Sequence, residues 1–211
     1  MQTGNTVFLA LGASHQPPLP PFAWLKSGTA IFFFLVGCFV IPRLMRLLKN
    51  GPVTRAALAA SFALQSICAI IAAALVTASI VPQSEGLESP ADRNPHNPFF
   101  VELIPIALLA FQAGGQVVAS RMLGYGEIPT TVLTSAYCDL TSDEKLFAIK
   151  NGKRDRRAIS AITLLAGAIM GGWITRSSAR METVLWIVAA CKAGLALAWS
   201  FWKAKEVRPS V

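Results

Sequence analysis

Charge-free apolar stretches alternate along this chain with short polar or basic connections, and the stretches come in two lengths. Residues 27–42 carry no charge, are built on Ile31, Phe32, Phe33, Phe34 and Leu35, and run on amphipathically into Arg43 and Arg46. Residues 56–81, 103–120, 158–175 and 183–202 follow, the last with a single lysine inside it. A helix rises about 1.5 Å per residue, so each is long enough for a tilted helix across a hydrocarbon layer roughly 30 Å thick. Two further apolar segments, residues 3–13 and 128–138, offer only about half that length and are predicted to be re-entrant or broken helices. Polar turns separate these elements: a Pro-rich one with Pro17, Pro18, Pro20 and Pro21, a loop at 82–98 carrying Glu85, Glu88 and Asp92, and a basic loop at 139–157. The pattern predicts an all-α polytopic transmembrane helical bundle of five full spans and two short segments, folded as a single membrane domain over residues 1–211.

Composition agrees with the pattern: 54% of residues are hydrophobic and only 14% charged, too apolar for a chain whose main solvent is water. The net charge of +8 raises nucleic acid as a partner, but the basic residues cluster beside the ends of apolar blocks, which is a juxtamembrane pattern. The expected partner is therefore the lipid bilayer, with no nucleic acid. Of the cysteines, Cys38, Cys68 and Cys191 lie in apolar blocks and Cys138 ends a shorter one, with no CxxC or Cys/His spacing, so neither a disulfide framework nor a metal site is expected. The apolar run at 7–13 is no secretory leader, because no Lys or Arg precedes Lys26.

The basic residues also set the topology. If residues 128–138 crossed the bilayer, the positive loops would be split between its two sides. If they only dip in and return, fourteen Lys and Arg residues share one side against four (Lys26, Arg93, Arg176 and Arg180) on the other. The positive-inside bias favours the dip, and it places the C-terminus in the cytoplasm of a multi-pass protein.

A repeat is suggested by TGNTVFLALG at 3–12 and IPTTVLTSAY at 128–137. Each is followed about 30 residues later by an apolar span with a central glycine, Gly37 or Gly167, and then by another long span. The halves would be 1–81 and 99–203, inverted with respect to one another, an arrangement common in transporters, where interrupted segments in matching positions mark the binding site.

MQTGNTVFLALG and GEIPTTVLTSAYCDL resemble the two signature stretches of the YoaK-like family of microbial membrane proteins. Gly4, Asn5, Thr6 and Val7 carry the first, and Pro129, Thr130, Thr131, Val132 and Thr134 the second; Gln116 and Arg121 fall where that family has a glutamine and an arginine. The resemblance covers most of the chain and implies a polytopic membrane protein of about six spans with no activity to transfer. Val117 stands where an asparagine is expected and Ser120 where a second arginine is, and the first helix of the family is missing ahead of Met1, so roles needing those groups do not carry over.

Chemistry-bearing residues at membrane depth are few. Lys192, halfway along the last span, costs about 2.5–3.5 kcal/mol there on insertion scales, so something must compensate: a carboxylate such as Glu102 or Asp139, an anionic substrate group, or snorkelling of the ammonium to the surface. Gln65, Gln112 and Gln116 are polar in apolar helices, the last two one turn apart on one face, suited to interhelical hydrogen bonds or to lining a pathway. Asn5, Thr6, Thr130 and Thr131, with Thr134, sit in the short segments, where a helix end inside the membrane frees backbone groups that a ligand or the threonines themselves can satisfy. Gly167 and Gly171 form a GxxxG that lets two helices approach closely. The two histidines, His15 and His96, lie in Pro-rich connections with no nucleophile, phosphate loop or metal spacing beside them, so no catalytic set, cofactor or enzyme is expected. The function expected from this architecture is that of a small-molecule transporter or permease-like protein, with Asn5, Thr6, Gln112, Gln116, Thr130, Thr131 and Lys192 as substrate contacts. A non-transporting membrane scaffold or accessory protein is the alternative.

Overall fold

A computed structural model describes residues 2–14, 23–48, 53–81, 99–126, 128, 133–176 and 181–202. They form the helices α1 (Gln2–Ser14), α2 (Ala23–Leu47), α3 (Arg55–Thr77), α4 (Leu103–Met122), α5 (Thr134–Thr141), α6 (Gly152–Arg176) and α7 (Met181–Phe201), with no strand among the described residues. Five of them, α2, α3, α4, α6 and α7, are long and apolar enough to cross a membrane. α1 covers the short segment expected at 3–13, whereas α5 starts only at Thr134, inside the segment expected at 128–138, and runs past it to Thr141; residues 129–132 of that segment lie outside the described residues. A tight 3-10 turn over Phe99–Glu102 leads into α4.

The boundaries follow local chemistry. Thr54, in extended backbone, starts α3 by accepting a hydrogen bond from the Ala57 amide at 3.3 Å. The apolar run continues to residue 81, but the helix stops at Thr77. Ser79 takes a left-handed conformation with φ of 54°, its amide donates to the Val76 carbonyl, and Val81 folds back to join the apolar cluster around Val76. Hydrophobicity alone could not reveal that turn, because Val81 is buried on either side of it.

α3 is the centre of the bundle. It packs along α7 and against α4, and α4 packs along α2; α1 rests on α2, α5 on α6, and α6 on α7. The buried face of α7 reads Leu185, Ala189, Lys192 and Ala196, and α3 meets it with Ala69, Ala72 and Ala73 among others, small residues that let the helices come close. The α2–α4 contact is closer still. A Cβ on Gly37 would collide with the Phe111 carbonyl oxygen, and one on Gly114 with the Phe34 carbonyl oxygen and, at 3.0 Å, the Cys38 amide nitrogen.

Two apolar clusters mark the two ends of the bundle. One joins Ile41, Met45, Ala57 and Leu58, with Met122, Leu123 and Trp199 packed against them; the other joins Ala73, Val76, Val81 and Leu185, with Val101 and Leu109 against them. The first lies at the C-terminal ends of α2, α4 and α7, close to Arg43, Arg46, Arg55 and Arg121, and is called here the basic end. The second lies with the Lys26–Glu102 ion pair, at the start of α2 and α4. The Arg156 guanidinium sits 5.6 Å above the Tyr125 ring, so α6 begins at the end where α4 stops. The two short helices do not meet: α1 and α5 share no contact among the described residues, so no joint site is built between them.

The GxxxG expectation is overturned. No residue of α6 is buried, and a Cβ on Gly167 or Gly171 would meet nothing within 4 Å. The glycines that bring helices together are Gly37 and Gly114.

The connection from α5 to α6 is tightly bonded. Arg154 donates through Nη1 to the carbonyls of Leu146 (2.6 Å) and Ala148 (2.7 Å), and through Nη2 to the Asp155 carboxylate at 2.6 Å. Asn151 accepts from the Arg154 amide at 3.1 Å, capping α6, and its side-chain amide donates to the Lys145 carbonyl and the Asp143 carboxylate. The Lys145 amide and the Asn151 side chain, with Arg157 and Arg154 nearby, hold the Asp143 carboxyl below the usual carboxylate range. A lowered folded-state pKa means that the loop gains stability above the ordinary aspartate pKa of about 3.9 and loses it as the pH falls through the depressed value. Amide-exchange protection at Lys145 is thus expected to stay constant from neutral pH down to about 4 and to fall only below that; a loss already complete at pH 6 would contradict the assignment.

Candidate functional site

Between the two apolar clusters lies one polar layer. Lys192 on α7 is about 16 Å along the axis from one end of its helix and about 14 Å from the other, and its side chain is buried, with 7% of the residue exposed. Its Nζ donates to Oε1 of Gln65 on α3 at 2.7 Å and to Oε1 of Gln116 on α4 at 2.8 Å. Gln65, itself fully buried, donates through Nε2 to the Ser61 hydroxyl at 3.2 Å, and the Phe62 ring lies 5.9 Å from the ammonium. Beside this, the Ser66 hydroxyl donates to the Ala189 carbonyl at 3.0 Å, tying α3 to α7 one turn away.

Helix periodicity explains the convergence. Ser61 and Gln65 are four residues apart and share the inner face of α3; Gln112 and Gln116 are four apart on α4. Each pair faces the seam where α7 brings in Lys192. Gln112 belongs to the same face but not to the bonded chain: its Oε1 is fully buried and has no hydrogen-bond partner among the described residues. Such an acceptor costs about 1–3 kcal/mol unless something donates to it.

Neither carboxylate foreseen for Lys192 is its partner. Glu102 is fourteen residues before Gln116, about 20 Å away along α4, and is paired with Lys26. Asp139 is on α5 and lies 3.6 Å from Arg157. Snorkelling is excluded as well, since the ammonium is held inside by two amide oxygens. The layer thus contains a cation whose bonded partners among the described residues are neutral.

The other foreseen contacts lie elsewhere. Asn5 donates to the Gln2 side chain at 2.9 Å and Thr6 to the Gln2 carbonyl at 2.9 Å, both within α1, which among the described residues touches only α2. Thr130 and Thr131 lie outside the described residues. Lys192, Gln112 and Gln116 are the foreseen residues that the fold brings to one place, and Ser61 joins them unforeseen, although its four-residue spacing from Gln65 was a readable signal.

Five long apolar helices, three of which (α3, α4 and α7) enclose a buried polar layer, define an integral membrane protein of the multi-pass class. The chain belongs to the family described as "Protein of unknown function (DUF1275)", which it matches over residues 1–198, and the YoaK-like signatures are consistent with that membership. No curated protein and no solved structure matches it.

Proposed function

We propose that this protein is a small-molecule transporter or permease-like protein of the membrane, and that the layer formed by Lys192, Gln65, Gln116 and Gln112 contacts a substrate carrying an acidic group. One observation carries the reading: a buried lysine midway along a span is bonded to amide oxygens and to no carboxylate among the described residues. An ionisable group at this depth is expensive, and apolar residues of similar volume commonly stabilise a fold as well or better. A cation kept there without a counter-ion is poised to exchange its amide partners for an anion. Gln112 adds an acceptor, so a substrate that also carries a hydrogen-bond donor would satisfy both groups. By the positive-inside bias, the basic end with Arg43, Arg46 and Arg55 faces the cytoplasm, and so does the C-terminus.

The test is flux of a panel of small organic acids, with neutral solutes as controls, into vesicles containing the purified protein. At least one acid should move faster than in empty vesicles, and Lys192→Gln should abolish that excess while leaving the protein monodisperse in detergent. Flux equal to that of empty vesicles for every solute, or equal flux with Lys192→Gln, sinks the proposal.

A further inference from the structure

The α5–α6 connection holds two large apolar side chains almost wholly in the open. Phe147 is 94% exposed and Ile149 96%, more than any other large hydrophobic residue among those described. Exposure of this degree in a slack loop would mean little. Here the backbone is fixed on both sides of Phe147 and immediately before Ile149: Arg154 grips the carbonyls of Leu146 and Ala148, Asn151 grips that of Lys145, and the amides of Leu146 and Ala148 donate to the Asp143 and Lys145 carbonyls. The carbonyls at 146 and 148 turn toward Arg154, and the side chains at 147 and 149 are left outside. The loop is built to present them.

Charge surrounds the pair unevenly. Arg154 is neutralised by Asp155, and Arg157 lies near Asp139 and Asp143. Lys145, Lys150 and Lys153 are exposed and enter no salt bridge among the described residues. The location matters equally. α6 has 25 residues and is about 37 Å long, more than the roughly 30 Å hydrocarbon layer. Its charge-free part, residues 158–175, is about 27 Å long and fills that layer by itself, which leaves the basic first turns among lipid headgroups, with residues 143–151 immediately before them.

We propose that this loop is a lipid-interface anchor selective for anionic headgroups: Phe147 and Ile149 enter the boundary between headgroups and acyl chains, and Lys145, Lys150 and Lys153 bind the phosphates beside them. Apolar insertion supplies depth, and the lysines supply the preference for negative lipid, since each basic group at a charged surface is worth about a fivefold enrichment. The occupant is the protein's own bilayer rather than a soluble partner, because the surface is the combination a headgroup layer complements, and because the loop is held at its height by the start of a spanning helix. The inference does not depend on transport.

The experiment uses the full chain with its cysteines (Cys38, Cys68, Cys138 and Cys191) replaced by alanine, and a nitroxide on Phe147→Cys or Ile149→Cys. The protein is placed in nanodiscs of phosphatidylcholine alone or mixed with phosphatidylglycerol. Collisions with lipid-soluble oxygen and with a water-soluble nickel chelate report depth, and a label on Glu144→Cys serves as the aqueous reference. In the anionic discs, the labels at 147 and 149 are expected to be oxygen-accessible and nickel-protected, with Glu144→Cys the reverse. Replacing Lys145, Lys150 and Lys153 by glutamine should shift labels 147 and 149 toward water in the anionic discs and leave their depth in phosphatidylcholine unchanged. Nickel accessibility at 147 and 149 in both lipids overturns the anchor and points to a soluble partner; insertion that ignores the lysines overturns the headgroup selectivity.

Discussion

Gly37→Leu is expected to cost this protein about 3 kcal/mol or more, while Gly167→Leu, on an equally apolar helix, leaves stability within about 0.5 kcal/mol of the parent. Both glycines sit in the middle of long helices, and at either position leucine gains helix propensity over glycine, by less than about 1 kcal/mol. The difference is steric. At position 37 the first added carbon runs into the Phe111 carbonyl oxygen, which belongs to a helix backbone and cannot rotate away. At position 167 there is open space. α4 answers with Gly114 against the α2 backbone, so the two helices touch main chain to main chain and must separate along their whole seam to admit a side chain. Gly115 provides a graded control, because a Cβ there meets the end of the Ile41 side chain, which can change rotamer. Unfolding midpoints in a denaturing-detergent titration should rank Gly167→Leu above Gly115→Ala and Gly115→Ala above Gly37→Leu; equal midpoints at 37 and 167 would show that α2 and α4 are not in backbone contact.

The second large effect is an asymmetry. Gln65→Leu strips an acceptor from a buried ammonium and is expected to destabilise by about 3 kcal/mol, in the range seen when a buried charge loses its partner. Lys192→Met removes the charge itself. Gln65 and Gln116 can then bond amide to amide, and the change should fall within about 1 kcal/mol of the parent, on either side. The double variant, Gln65→Leu with Lys192→Met, should recover most of what Gln65→Leu loses, a coupling that a double-mutant cycle reads directly. Equal losses from the two single substitutions, with simple additivity in the double, would mean that Lys192 is held by something other than these amides. The same measurements bear on function, because a lysine that is dispensable for stability and needed for flux has been kept for what it binds.

The long helices were legible because charge-free length is a direct consequence of a lipid solvent, and a lysine in mid-span stands out against it. Which faces pack was far less legible. In water the buried side of a helix is its apolar side, but in lipid both sides are apolar, so α3, the most buried helix, and α6, with no buried residue, look alike in sequence. That is why Gly167 and Gly171 read as a contact and Gly37 did not. The partners of Lys192 were hidden for a different reason. Reasoning from charge sought a carboxylate, whereas the fold supplied amides from Gln65 and Gln116. The turn after Thr77 was lost because an apolar residue, Val81, ends it.

The sparse packing of α6 has a mechanical corollary. The other four spans are locked to one another through α3 and α4, but among the described residues α6 rests on α7 and on the α5 connection that precedes it, so it can lean as a separate rod. A helix longer than the hydrocarbon layer relieves the mismatch by tilting. A thinner bilayer would therefore be absorbed by α6 inclining while α2, α3, α4 and α7 keep their angles, and the loop bearing Phe147 would swing with it.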